Sequence, residues 1–213
     1  YTSWRGTVGV VKPTMRPGSL EEFIRMMPEG IGIIPLFIGF QRGTADEFQR
    51  SMKAYEERVA QLAAYEVDLI HPEGAPPFMF QGVKGERSTV RAWERKYKTP
   101  IVTAGMTQIE ALRALKAKKI LGVTYFTGKI NETFARYFVE AGFDVLAMEG
   151  IPVDFDDVGK LAGQEVYAHT RNLFLKHRGA DAIYMLGSGW RTLDIIELLE
   201  QDLQVPVVHP VPA

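Results

Sequence analysis

The chain repeats its own pattern of residues at a fixed distance. Three pairs of identical residues are each separated by 113 positions, namely Gly9 with Gly122, Asp68 with Asp181, and Gly74 with Gly187. The separation falls to 106 at Pro100 and Pro206, because the first copy has a longer segment around residues 79–88. A register shared by three landmarks predicts two similar structural units in one chain.

Each copy alternates short apolar runs, which are typical of buried strands, with segments whose apolar residues recur every three or four positions, as on one face of a helix. In the first copy, strands are predicted near 7–11 and 67–70 and helices from Leu20 and over 44–65. In the second copy, strands are predicted at 119–124, 143–148, 181–186 and 206–209, and helices at 131–141, 157–177 and 192–203. This alternation predicts an α/β fold with parallel sheets covered on both faces. We expect lobes at 5–104 and 118–213, linked by a helix within 105–117.

The charge balance argues against several classes of partner. The chain has 25 Lys plus Arg and 26 Asp plus Glu, so its formal net charge is -1. No general positive field is available for nucleic acid or an anionic membrane surface. The longest apolar runs are too short to span a bilayer. We therefore expect a cytoplasmic protein with no nucleic acid or membrane partner, and the sequence leaves open whether it forms a homo-oligomer.

The absence of cysteine restricts the chemistry. With a cysteine count of zero, disulfides, thiolate nucleophiles and cysteine-ligated metals are excluded. No Gly-rich dinucleotide fingerprint and no phosphate-binding loop with a Gly-Lys-Ser/Thr ending is present, which argues against a nicotinamide or nucleotide cofactor. We expect no cofactor.

Three segments resemble a known family. They are Val8-Gly9-Val10-Val11-Lys12-Pro13, Gly122-Val123-Thr124 followed by Asn131, and Leu186 to Asp194 (LGSGWRTLD) leading into Pro206-Val207-Val208. With the repeat, they resemble the aspartate/glutamate racemase superfamily, in particular its arylmalonate decarboxylase and maleate isomerase branch, over nearly the whole chain. The resemblance implies two flavodoxin-like lobes related by a pseudo-twofold axis, with the active site in the cleft between them.

The resemblance also exposes a departure at the expected catalytic positions. Members of the superfamily generally have a cysteine after the third strand of one or both lobes, and the corresponding residues here are Gly74 and Gly187. Arylmalonate decarboxylases are similar in having glycine at the first position, but they keep a cysteine at the second. Ala75 and Pro76 stand where that family has hydroxyls, and Phe126 stands where relatives usually have tyrosine. The resemblance therefore implies the fold but not a thiol mechanism.

Other side chains must then carry the proton. His71 and Glu73 lie two apart at the end of a strand, so both should point to the same side of the chain. Glu73 directly precedes Gly74 and lies beside a Pro-Pro-Phe segment that should desolvate it. We predict Glu73 as the proton-transfer group, assisted by His71, with Tyr184 presented from the opposite lobe. The alternative is that Glu73 caps a loop and His71 fills the edge of the core.

Substrate-binding candidates come from loops at the carboxyl ends of the predicted strands, where ligands bind in open parallel sheets. The turn from Gly187 to Thr192 precedes a helix, and amides at a helix N-terminus favour an anion. Arginine binds carboxylates with two parallel hydrogen bonds. The predicted binding residues are Thr14, Arg16, Gly74, Tyr125, Thr127, Gly187, Ser188, Arg191 and His209.

The function that best fits these features is a cofactor-free decarboxylase or isomerase of a small carboxylic acid. It would stabilise an enediolate-like intermediate and move the proton with a non-cysteine acid or base. Two alternatives remain. One is a metal-dependent lyase or hydratase using His71 and Glu73, with His209 as a third ligand. The other is a non-catalytic protein that binds a small acid on the same scaffold.

Overall fold

The computed structural model describes residues 3–187 and 189–213. The strands are β1 (Gly6–Lys12), β2 (Ile31–Phe37), β3 (Leu69–Pro72), β4 (Lys119–Thr124), β5 (Asp144–Gly150), β6 (Ala182–Met185) and β7 (Val207–Val208). The helices are α1 (Gly18–Met26), α2 (Ala45–Arg50), α3 (Met52–Ala64), α4 (Ala75–Met79), α5 (Gly82–Tyr97), α6 (Ala104–Ala114), α7 (Ile130–Glu140), α8 (Gly163–Lys176) and α9 (Leu193–Leu203). A 3-10 helix covers Phe155–Lys160. None of the described helices is long and apolar enough to cross a membrane.

The strands form two parallel sheets, one in each copy of the repeat. The first sheet has the order β2-β1-β3 and the second has the order β5-β4-β6-β7. The predicted α/β fold with two parallel-sheet lobes is confirmed. In sequence, helix α6 follows the last strand of the first sheet and precedes the first strand of the second. The lobe boundaries at 5–104 and 118–213 remain a prediction.

Asp68 and Asp181, the two aspartates of the repeat, have equivalent structural roles. The Asp68 carboxylate accepts a hydrogen bond from the Thr7 amide at the start of β1, at 2.7 Å. The Asp181 carboxylate accepts from the amides of Lys118 and Lys119 at the start of β4, at 2.9 and 2.8 Å. Each aspartate thus ties the first residues of a central strand to the chain segment beside it. These backbone bonds lower the pKa of Asp181.

Several element boundaries differ from the prediction. The helix expected over 44–65 breaks at Ser51, whose hydroxyl donates to the Phe48 carbonyl at 2.7 Å and competes with the helical bond pattern. The helix expected over 157–177 is a 3-10 helix followed by α8, because Leu161 and Ala162 are extended. Next to the first sheet, Ile101 pairs with Ile70 of β3 through an isolated parallel bridge.

The parallel strands bring the ends of both lobes to one region. Strands β1 and β3 end at Lys12 and Pro72, and β4 and β6 end at Thr124 and Met185. The connections that follow these four strands carry most of the predicted site residues. Side chains at these ends are mostly buried, so the junction between the lobes is an interior region.

Candidate active site

A small cavity lies where the two lobes meet. Both glycines of the repeat, Gly74 and Gly187, are among its lining residues. Its volume is about 20 Å³, which is enough for roughly one water molecule. The other described lining residues are Pro13, Thr14, Phe40, Phe48, Pro76, Pro77, Tyr125, Phe126 and Phe155.

Both glycines have a backbone conformation that side chains rarely adopt. The φ angle is +94° at Gly74 and +107° at Gly187. A Cβ atom at Gly74 would lie 2.9 Å from the Tyr55 hydroxyl, and one at Gly187 would lie 2.5 Å from the Tyr125 hydroxyl. A tyrosine hydroxyl therefore occupies the space beside each position where the resemblance implies a thiol.

Tyr125 stands at the wall of the cavity. Its ring packs against Phe126 at 4.8 Å between centroids and edge-on against Trp190 at 5.0 Å. Burial raises the pKa of Tyr125 to about 12, although Arg16 and a hydrogen bond from the Gly189 backbone favour the phenolate. The phenol is therefore protonated at neutral pH.

Glu73 is buried, but its carboxylate is turned toward a lysine. Glu73 Oε2 lies 2.7 Å from Lys12 Nζ, and Ser19 Oγ donates to Glu73 Oε1 at 3.0 Å. Lys12 Nζ also donates to Ser19 Oγ, and the Tyr55 hydroxyl donates to the Glu73 carbonyl at 2.7 Å. Glu73 is not among the residues that line the cavity. The carboxylate expected beside the reactive carbon belongs instead to a buried ion pair.

The two histidines are held by the backbone. His71 Nδ1 bonds the Val102 carbonyl at 2.9 Å and its ring stacks on Phe23. His209 Nδ1 accepts from the Val211 amide at 3.3 Å, so Nε2 carries the proton and donates to the Gly187 carbonyl at 3.1 Å. Burial lowers the pKa of both imidazoles, to about 4 for His209.

This arrangement predicts a pH dependence of stability. The unfolded His209 has a pKa near ~6.5 and the folded one about 4, so the unfolded chain binds more protons between these values. Stability should therefore fall as the pH falls from 6.5 toward 4, by about 2 kcal/mol between pH 7 and pH 5 from this residue. Urea unfolding of the wild type and His209→Gln measures it: the difference between them should shrink as the pH falls. An equal difference at pH 7 and pH 5 would contradict the prediction.

Tyr184 does not reach the cavity, which corrects its predicted catalytic role. It lies in β6 with its side chain fully buried, and its ring packs against Phe138 at 4.2 Å. Its hydroxyl has no hydrogen-bond partner among the described residues. Burial raises the pKa of Tyr184 well above its usual value. The strand alternation that aligns it with His71 directs it into the core of the second lobe.

The N-terminus of α9 already holds a carboxylate, which corrects the predicted anion site. Glu22 Oε1, from α1, accepts from the amides of Thr192 and Leu193 at 2.8 and 3.0 Å. Glu22 is buried, and desolvation raises its pKa. A side chain of the first lobe thus occupies the place expected for the substrate. Ser188, also predicted to bind, lies outside the described residues.

The remaining predicted binding residues lie at different distances from the cavity. Thr14 is buried and lines the cavity, whereas Thr127 and Arg191 are exposed. Arg16 lies beside the wall: its guanidinium covers the Phe155 ring at 4.4 Å and donates to the Phe155 carbonyl. Arg16 Nη1 is buried without a hydrogen-bond partner in the described part of the chain.

A larger cleft opens next to the cavity. It has a volume of about 620 Å³ and shares Tyr125, Phe126 and Phe155 with the cavity lining. The exposed Thr127 lines this outer cleft together with Arg42, Lys129 and Arg136. These three aromatic residues therefore lie between the open outer cleft and the small cavity that Gly74 and Gly187 line.

The described side chains of His71, Glu73 and His209 do not form the metal site considered as an alternative. Within residues 3–187 and 189–213, no group of three or more His, Cys, Asp or Glu side chains is arranged to hold a metal ion. Both nitrogens of His209 bond the backbone, and the Glu73 carboxylate faces the Lys12 ammonium.

Comparison with known proteins identifies the family. A family model described as arylmalonate decarboxylase matches residues 10–213. The chain belongs to the arylmalonate decarboxylase family. This membership indicates an enzyme of the decarboxylase or isomerase kind. No match was found among curated protein sequences.

Solved structures share the fold of this family member at low sequence identity. A double mutant of arylmalonate decarboxylase in its liganded form has a TM-score of 0.89 and 18% identity, covering 97% of this chain and 88% of that one. A cysteine-to-alanine variant of the maleate isomerase Iso from Pseudomonas putida S16, solved with maleate, has a TM-score of 0.84 and 19% identity over 97% and 87%. The Nocardia farcinica maleate cis-trans isomerase bound to TRIS has a TM-score of 0.87 and 19% identity over 97% and 88%.

Three residues at the junction were missed by the sequence analysis. Lys12 and Tyr55 contact Glu73, and Glu22 bonds the N-terminus of α9. Lys12 had a readable signal, since it is a charged residue at the end of the apolar run TVGVVK. Tyr55 lies within an amphipathic helix, where nothing in its spacing marks it. Glu22 has the spacing of a capping residue three positions after Ser19, which gives no sign of its bond to α9.

Proposed function

We propose that this member of the arylmalonate decarboxylase family is a cofactor-independent decarboxylase or isomerase of a small carboxylic acid. The reaction would pass through an enediolate-like intermediate, and a group other than a thiol would move the proton. One observation carries the proposal: Gly74 and Gly187 line one cavity between the lobes of a chain that has no cysteine. The shared cavity and the lack of any cysteine support a site in which a group other than a thiol moves the proton.

The surroundings of the cavity favour a carboxylate with an apolar substituent. Most of its lining is aromatic or proline, which would accept apolar substrate atoms and exclude water. Arg16 adds a positive charge with one buried, unpartnered nitrogen among the described residues, suited to a carboxylate oxygen. Since the cavity holds roughly one water molecule, substrate binding requires Phe155 or its neighbours to move toward the outer cleft.

The relatives support the substrate class. One solved maleate isomerase was crystallised with maleate, a small dicarboxylate, and the family model takes its description from arylmalonate. Both compounds are small acids with two carboxylates. We therefore propose a small dicarboxylate as the first substrate class to test.

Glu73 remains a predicted proton-transfer group, assisted by His71. For this role its carboxylate would have to leave Lys12 and Ser19, because both of its oxygens face them. If Glu73 moves the proton, Glu73→Gln should lower turnover by about 10²-fold or more in protein that is still folded. Unchanged turnover would show that Glu73 does not transfer the proton and that its role is to balance the buried charge of Lys12.

The function is tested by incubating the wild type with phenylmalonate, methylmalonate and maleate. Nuclear magnetic resonance in D2O detects either decarboxylation, as deuterium at the carbon that loses CO2, or conversion of maleate to its trans isomer. We expect turnover of at least one acid, unaffected by iodoacetamide because no thiol exists. Addition of EDTA separates the metal-dependent alternative. Thermal stabilisation by these acids without turnover would favour the non-catalytic alternative.

A further inference from the structure

The cavity contains few groups that can exchange a proton. Among its described lining residues, only Thr14 and Tyr125 carry a side-chain hydroxyl, and the others are glycine, proline or phenylalanine. A phenol, with an ordinary pKa of ~10, is the more acidic of the two hydroxyl types. Tyr125 is therefore the stronger proton source among the residues that line the cavity.

The Tyr125 hydroxyl is placed beside Gly187. A Cβ atom at Gly187 would lie 2.5 Å from the phenol oxygen, so the hydroxyl fills the volume that a side chain at position 187 would take. Gly74 lines the same cavity from the first lobe. A substrate bound between the two glycines would thus meet the phenol on the side of the second lobe.

The ring is fixed in this orientation by its neighbours. Trp190 packs edge-on against it at an interplanar angle of 89°, and Phe126 packs against it at 4.8 Å. Since rigid positioning of an acid near the reacting carbon lowers the entropy cost of proton transfer, this packing suits a catalytic role.

The surroundings also suit the phenolate that remains after proton transfer. A hydrogen bond from the Gly189 backbone and the positive charge of Arg16 both favour the anionic form. Burial opposes that form and keeps the group protonated before the reaction. The Tyr125 phenol is therefore protonated before the reaction, and Arg16 and the Gly189 backbone stabilise the phenolate that forms.

We propose that Tyr125 is the catalytic acid that protonates the reacting carbon from the Gly187 side, an inference that rests on the proposed function. In a decarboxylation, the bond between the central carbon and one carboxylate breaks and CO2 leaves. The electron pair stays on the central carbon, delocalised into the remaining carboxylate as an enediolate. The Tyr125 O–H bond then breaks as a C–H bond forms, and the phenolate takes a proton from water.

The test compares two tyrosine-to-phenylalanine variants on whichever of phenylmalonate, methylmalonate or maleate the wild type turns over. Tyr125→Phe should lower kcat by about 10²-fold or more with little change in KM, because it removes the proton but keeps the ring. Tyr137→Phe is the matched control: it removes a buried hydroxyl that bonds Glu86 and does not line the cavity, so kcat should stay near the wild-type value. Thermal denaturation verifies that both variants are folded.

The outcomes separate the two proposals. Wild-type kcat in Tyr125→Phe would overturn the role of Tyr125 and leave the proposed function standing. Equal losses in both variants would also overturn it, since the effect would then be structural. A wild type that turns over none of the three acids would overturn the proposed function itself. If Tyr125→Phe does not fold, 3-fluorotyrosine at position 125 replaces it: its more acidic phenol should change the pH profile of kcat, and an unchanged profile would overturn the role.

Discussion

Replacing Glu73 by glutamine should lower the free energy of unfolding by about 3–5 kcal/mol, because it leaves a buried ammonium without its counter-charge. The Lys12 side chain is 1% exposed and its Nζ lies 2.7 Å from Glu73 Oε2. Glutamine keeps the shape of the side chain and removes only the charge. For a chain of this length, the loss corresponds to a fall in Tm of roughly 6–20 °C, which differential scanning calorimetry measures.

Two controls define what this effect means. The double variant Lys12→Met/Glu73→Gln removes both charges and should recover most of the lost stability, since a buried pair replaced by neutral groups is often tolerated. The exposed pair of Lys160 and Asp157 gives a comparison in which Lys160→Met should change Tm little. Equal Tm values for Glu73→Gln and the wild type would contradict the prediction, because they would show that the buried Lys12 ammonium does not depend on the Glu73 charge.

Introducing a methyl group at Gly187 should destabilise the protein by about 2–5 kcal/mol. Part of the loss is conformational, because φ is +107° and a side chain is strained there. The rest is steric, since the new Cβ would lie 2.5 Å from the Tyr125 hydroxyl and closer still to its ring. Chemical denaturation of Gly187→Ala measures the sum.

A second glycine separates these two contributions. Gly179 has a φ of +101°, and a Cβ built there meets no atom within 4 Å. Gly179→Ala should therefore show the conformational loss alone and be the milder variant. In a double-mutant cycle, Tyr125→Ala should relieve much of the steric loss of Gly187→Ala. Equal destabilisation at both glycines would mean that the phenol moves aside without difficulty.

The fold and the general place of the site could be inferred from residue patterns. The separation of 113 positions predicted two lobes, and strand and helix periodicity predicted parallel sheets. The periodicity is a local property of the chain, since it acts over a few neighbouring residues, and the repeat is visible by comparing the sequence with itself. The same register predicted that Gly74 and Gly187 follow equivalent strands, where parallel sheets place their ligand-binding loops, and both glycines line one cavity.

Side-chain direction at the junction depended on contacts that no local pattern encodes. Glu73 turns to Lys12 because desolvation makes an unpaired buried charge too costly. Glu22 accepts hydrogen bonds at the N-terminus of α9, 170 positions away in the chain. It therefore occupies the backbone amides that the sequence analysis predicted for the substrate carboxylate. Tyr184 enters the core while Tyr125 reaches the cavity.

These choices follow from packing distant segments together, within the first lobe for Glu73 and between the lobes for Glu22. The Glu73 and Glu22 carboxylates take partners that other elements supply, because a buried polar group without a hydrogen bond is costly. The residue types and their order were therefore enough to predict the architecture and to show that the chain contains no thiol. The partner of Glu22 required the packed lobes and the partners of Glu73 required the folded first lobe, because burial and charge pairing arise only when distant segments meet.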